Sequence, residues 1–114
     1  MYGNHKRDFT YIDDAVEILV NIFKYLISRK NKSFYEIYNI GTNQPIQLTR
    51  FIKTIENKLQ LISKKKFLKL QQGDVKETTC DTKKIKKFLP KKLTSVDEGI
   101  GKFITWYKSY YNTK

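Results

Sequence analysis

The chain has 114 residues and a formal net charge of +12, from 23 Lys and Arg against 11 Asp and Glu, with one His and one Cys. That length suits one domain rather than two, and 39% hydrophobic with 14% aromatic residues argues for a packed fold over disorder. One cysteine and one histidine exclude an internal disulfide and a four-ligand structural zinc site. No apolar run approaches the roughly 20 residues of a membrane-spanning helix, and Met1–Arg7 lacks the apolar core of a signal peptide. A reducing cytoplasm is the expected setting.

Arg7-Asp8-Phe9-Thr10-Tyr11-Ile12 alternates polar with aromatic and β-branched residues and predicts a short strand. Asp13-Asp14 supplies an N-cap and first-turn negative charge to a helix carrying Val16, Leu19, Val20, Phe23, Leu26 and Ile27 at helical spacing. That helix ends near Arg29-Lys30, and Asn31–Ser33 is a loop. Tyr35–Ile40 predicts a second strand stopped by Gly41, and Gly41–Pro45 is a turn-rich connection. A second helix from about Leu48 places Leu48, Phe51, Ile52, Ile55 and Leu59 on one stripe. Lys66–Leu70 predicts a third strand, followed by the polar loop Gln71-Gln72-Gly73-Asp74. Asp81-Thr82 caps a short helix with Ile85, Phe88 and Leu89, closed by Pro90. Ser95 and Glu98 form a capping box for a last helix running to about Tyr111. The order β-α-β-α-β-α-α fits an α/β arrangement with a thin sheet.

The charge points weakly to nucleic acid. Only Arg7, Arg29 and Arg50 are arginines, the better readers of phosphate and base, and the lysine runs are scattered beside apolar segments. Solvated faces account for them more simply than a binding stripe, so a small basic nucleic-acid-binding module stands as the alternative reading.

No complete catalytic set is visible. Gly99-Ile100-Gly101 falls inside the last helix and lacks the strand that precedes a nucleotide loop. His5 lies in a polar stretch, far from any serine-based triad pattern. Cys80 stands next to a helix start, which can lower a thiol pKa, but a half-buried small residue explains it as well. Two loops are more informative. Arg7 at a strand entry has the fork to hold a phosphate pair, and Gln71–Asp74 follows a strand, where α/β proteins commonly bind ligands.

Four segments in order carry a family pattern: Arg7–Asp14; Tyr38-Asn39-Ile40-Gly41; Gln72-Gly73-Asp74-Val75-Lys76-Glu77-Thr78 with Asp81-Thr82-Lys83; and Gly99–Tyr107. Together they resemble the C-terminal region of NAD-dependent sugar-nucleotide epimerases and dehydratases, the extended short-chain dehydrogenase/reductase family, and most of all UDP-glucuronate 4-epimerases of surface-polysaccharide synthesis. The resemblance covers nearly the whole chain. It implies the C-terminal, substrate-binding portion of an extended Rossmann-type epimerase, residues 1–114 forming a partial domain of short strands and about four helices. The position of Arg7 would contact the UDP phosphates and that of Asp74 the uridine ribose, with Gln71 beside it. His5 stands where relatives often carry Met or Gln near the sugar.

The family's glycine-rich loop for NAD and its catalytic Tyr-x-x-x-Lys are not matched: Tyr25 is followed four residues on by Arg29, not lysine. The resemblance therefore implies a UDP-sugar as ligand, no cofactor held by this chain alone, and either a separate Rossmann half or self-association as partner. Apolar stripes that meet the missing half are expected to be exposed.

Overall fold

The computed structural model describes residues 5–29, 35–69 and 71–113. Its elements are β1 (Lys6–Arg7), α1 (Ile12–Ser28), β2 (Ile46–Gln47), α2 (Leu48–Leu59), a 3-10 turn (Lys86–Phe88) and α3 (Val96–Tyr111). β1 and β2 pair antiparallel, with Lys6 opposite Gln47 and Arg7 opposite Ile46. This is a mixed helix–strand fold with a two-stranded sheet.

The helices follow local chemistry closely. α1 starts from an extended Tyr11 that makes no side-chain cap, so Asp13 and Asp14 act in the first turn, where carboxylates favour the positive helix end, rather than as the predicted N-cap. α3 opens as expected: the Ser95 side chain accepts a hydrogen bond from the Glu98 N–H at 3.2 Å. α2 and α3 each end in a left-handed residue, Gln60 and Asn112. The next N–H, of Leu61 and Thr113, closes back on the carbonyls of Glu56 and Lys108. Asp81 caps its own turn through the Lys83 N–H at 2.9 Å, but the predicted helix there is only the 3-10 turn.

The strand predictions are corrected more heavily. The first strand is two residues, not six, because the chain turns into α1 after Phe9–Tyr11. The expected strand Tyr35–Ile40 joins no ladder among the described residues, and residues 66–69 form no strand; Leu70 lies outside the described residues. Alternating patterns make a strand only where another strand offers its backbone groups. The predicted loop Asn31–Ser33 also lies outside the described residues.

The core is small. Ile18 and Ile22 of α1 meet Ile85 and Phe88, with Tyr25, Leu26, Tyr38, Ile40 and Leu89 around them. Tyr25 and Tyr38 set their rings edge-on to Phe88 at 5.3 and 5.8 Å, and Asn21 donates to the Phe88 carbonyl at 3.1 Å. A second packing centre joins α2 to α3 around Ile100, where Phe9 stacks on Phe51 at 4.1 Å. No α2 residue is fully buried, so the predicted stripe there is only half covered. The buried Asp14 ties α1 to the entry of α3, its carboxylate accepting from the Thr94 N–H at 2.7 Å and the Thr94 hydroxyl at 2.9 Å.

Candidate functional site

The site forms where β1 lies between two segments distant in sequence. β2 pairs along one side of it. On the other side the Lys6 N–H donates to the Lys76 carbonyl at 2.9 Å and the Thr78 N–H to the Lys6 carbonyl at 3.2 Å, a one-residue parallel bridge to Glu77. Lys6 and Glu77 add an ion pair at 3.2 Å. The strap of residues 71–78 is thereby fixed against β1.

At the start of that strap, Gln71–Asp74 is a tight turn, with the Asp74 N–H on the Gln71 carbonyl at 3.1 Å and Gly73 at φ +88°. A positive φ at the third position defines a type II turn, which glycine enters without steric cost. The turn delivers the Asp74 carboxylate to Arg7, whose Nη2 donates to Oδ1 at 2.8 Å. Arg7 Nη1 donates to the Lys6 carbonyl at 2.9 Å, and Asp74 Oδ1 also accepts from the Val75 N–H at 2.9 Å. These two bonds use two of a guanidinium's five donors, leaving an oriented, part-exposed cation with further N–H groups for an anion. The structure thus brings Arg7 and Asp74 together and puts Gln71 in the same turn through its backbone.

A neighbouring network was not anticipated from sequence. Asp8 accepts from the Thr42 N–H at 3.2 Å, the Asn43 N–H at 2.9 Å and the Thr42 hydroxyl. Thr79 joins it by donating to Asn43 at 3.1 Å. Asp8 thereby locks the Gly41–Asn43 turn beside the site. The adjacency of Asp8 to Arg7 was the one available signal, because no pattern of spacing links residue 8 to residues 42 and 43. Cys80 packs on Gly41, and burial together with Asp8 and Asp81 pushes its thiol pKa up, which disfavours the thiolate.

The cavities lie to one side. An apolar one of about 370 Å³ is lined by Phe9, Tyr11, Phe51 and Ile100. A larger one of about 510 Å³ is lined by His5, Ile52, Phe67 and Lys64–Lys66. Neither includes Arg7 or Asp74, whose side chains are 28% and 44% exposed. The described glycines do not fit a dinucleotide loop: Gly41 is buried against Cys80, Gly73 makes the turn, and Gly99 and Gly101 lie within α3.

No protein-family model matches the chain. Fold and sequence nevertheless define its class, since it matches a portion of the NAD-dependent sugar-nucleotide epimerases. It is 37% identical over 124 residues to protein CapI of Staphylococcus aureus, covering 96% of this chain and 37% of that protein. It is 31% identical over 123 residues to a probable UDP-glucuronate 4-epimerase of Rhizobium meliloti, covering 96% of this chain and 36% of that one. Among solved structures it is similar to a variant of UDP-glucuronic acid 4-epimerase from Bacillus cereus, solved with UDP-4-deoxy-4-fluoro-glucuronic acid and NAD. There the TM-score is 0.75 at 29% identity, over 96% of this chain and 34% of that one. The chain therefore spans about a third of the length of the relatives it matches.

Proposed function

We propose that this chain is the nucleotide-sugar-binding part of a UDP-sugar 4-epimerase of the UDP-glucuronate/UDP-galacturonate type, serving surface-polysaccharide synthesis in the cytoplasm. Residues 1–114 act as one partial domain. The observation that carries the reading is the Arg7–Asp74 pair held by the Gln71–Asp74 turn. A diphosphate needs a fixed fork of N–H donors, which Arg7 offers, and a ribose diol needs a carboxylate acceptor, which Asp74 offers. Gln71, in the same turn, adds an amide within the same surface. The relatives' identity as UDP-glucuronate 4-epimerases supports the substrate class, and the CapI relative supports the capsule setting. NAD and the proton- and hydride-transferring residues belong to the rest of the epimerase, so the chain by itself binds UDP-sugar and turns nothing over.

Calorimetric titration with UDP tests this. The chain binds UDP, and Arg7→Ala weakens binding by about 1–3 kcal/mol, the range for a charge-assisted bond. Unchanged affinity removes Arg7 from the site, and epimerisation of UDP-glucuronate by the chain with NAD alone refutes the division of labour.

A further inference from the structure

Six of the ten residues from Lys83 to Lys92 are lysines, and no acid stands between Asp81 and Asp97. The fold turns these runs into one surface. Ile85 and Phe88, three apart, share one side of the 3-10 turn and lie in the core against α1, 0% and 5% exposed. The Ile85 N–H donates to the Thr82 carbonyl at 3.1 Å and the Phe88 N–H to the Ile85 carbonyl at 2.8 Å, which holds that register. With the inward positions taken by apolar side chains, Lys83, Lys84, Lys86, Lys87, Lys91 and Lys92 are all exposed.

Little of this charge is neutralised. Lys83 meets Asp81 at 4.0 Å and Lys84 meets Glu36 at 3.2 Å, both on the surface. Lys86, Lys87, Lys91 and Lys92 have no carboxylate partner among the described residues. Lys87 instead sets its Nζ 3.9 Å from the centre of the Tyr25 ring, and the Arg29 guanidinium approaches the same ring at 5.4 Å. Arg29 thereby borders the patch as a further cation. Like charges crowded on one turn repel, and an anionic partner relieves that repulsion.

We infer that the Lys83–Lys92 turn is an electrostatic docking surface for an anionic phospholipid membrane, held at the headgroups without insertion. Charge complementarity gives the class of partner, since a cluster of about four to eight basic residues is enough to attract acidic lipid headgroups. The make-up of the patch favours a membrane over nucleic acid. Its cations are mostly lysines, hydrated point charges without the arginine fork that reads phosphates and bases. Tyr25, the ring at its edge, is already engaged by two cations, which leaves base stacking without a platform there. The turn is three residues of 3-10 helix and carries no α-helix to enter a groove. A bilayer surface asks for none of these, only for diffuse positive charge on an outward turn. Neither Arg7 nor Asp74 is part of it, so the surface stands or falls apart from the nucleotide-sugar reading.

Co-sedimentation with unilamellar vesicles tests this. The whole chain pellets with phosphatidylcholine and phosphatidylglycerol mixed at about 7:3, stays in solution with phosphatidylcholine alone, and is released as salt rises from about 0.05 to about 0.5 M. Lys86→Glu, Lys87→Glu, Lys91→Glu and Lys92→Glu together lower partitioning about tenfold or more. Lys53→Glu, Lys64→Glu, Lys66→Glu and Lys69→Glu together change the net charge equally and lower it less than about threefold. All eight positions are exposed, so both variants keep the chain's helical circular dichroism. Acetylation of the unsubstituted chain gives a second reading: vesicles slow the reaction of Lys86, Lys91 and Lys92 more than that of Lys64, Lys66 and Lys69. No binding to the anionic vesicles, equal losses in the two variants, or uniform protection overturns the inference. So does tighter binding to duplex or single-stranded DNA that the first variant abolishes, which makes the patch a nucleic-acid surface instead.

Discussion

Arg7 and Asp74, 67 residues apart, share a part-exposed ion pair at 2.8 Å. The pair joins the β1 strand to the glycine-bent turn after residue 70, and it gives the two side chains separable roles. An exposed pair contributes little to stability, so Asp74→Asn changes unfolding by less than about 1 kcal/mol. Its effect falls on ligands. Asp74→Asn weakens UDP but leaves pyrophosphate unchanged, whereas Arg7→Ala weakens both. Equal losses for the two ligands in Asp74→Asn would show that the carboxylate acts only by orienting Arg7.

Gly41 is irreplaceable for steric reasons. A Cβ there would stand 2.4 Å from Cys80 Cβ and 2.7 Å from its Sγ. Gly41→Ala costs about 1–3 kcal/mol, the usual penalty for overpacking. Urea unfolding measures it, and Cys80→Gly in the same chain recovers part of the loss. Simple additivity of the two substitutions contradicts the contact.

Asp14 holds the start of α1 to the start of α3 through both Thr94 bonds. Asp14→Ala strands the Thr94 N–H and costs about 1–3 kcal/mol in urea unfolding. Thr94→Val removes only the hydroxyl bond and costs less. The reverse order would mean that the backbone bond is not the main tie.

The Glu56 carboxyl accepts from the Ser63 N–H and hydroxyl, each at 2.7 Å, and pairs with Lys65. The Lys65 bond first, then those of Ser63, lower its pKa from 4.5 to about 2. A carboxyl depressed in the folded state contributes fully above its unfolded pKa and loses that contribution as pH falls through the folded one. The tether of residues 61–65 to α2 is therefore intact at neutral pH and released between about 4.5 and 2. Carboxyl NMR titration reads it directly; a midpoint at the ordinary value disproves the tether.

Cys80 is a protected thiol. Burial, then the charges of Asp8 and Asp81, raise its pKa. Iodoacetamide reacts more slowly than with a free cysteine at pH 8, and the rate climbs only at higher pH. Reaction at the free-thiol rate contradicts this environment.

The sequence by itself determined the three long helices, the Ser95 cap of α3 and the turn before Asp74. Ser95 with Glu98, the apolar periodicity of α1 and Gly73 before Asp74 each act over a few residues, where backbone geometry and side-chain reach suffice. It also determined the family resemblance, through ordered motifs, and singled out Arg7 and Asp74. Tertiary structure decided what distance controls. It paired Arg7 with Asp74, bound Asp8 to Thr42 and Asn43, and showed that Val16, Leu19, Val20, Phe23 and Ile27 face outward while Ile18 and Ile22 carry the core. Both α1 stripes have helical spacing, and periodicity marks an apolar face without saying what covers it. The predicted strand Tyr35–Ile40 and the described part of Lys66–Leu70 failed for a related reason: a strand exists only with a neighbour to hydrogen-bond, and the described residues bring none to them.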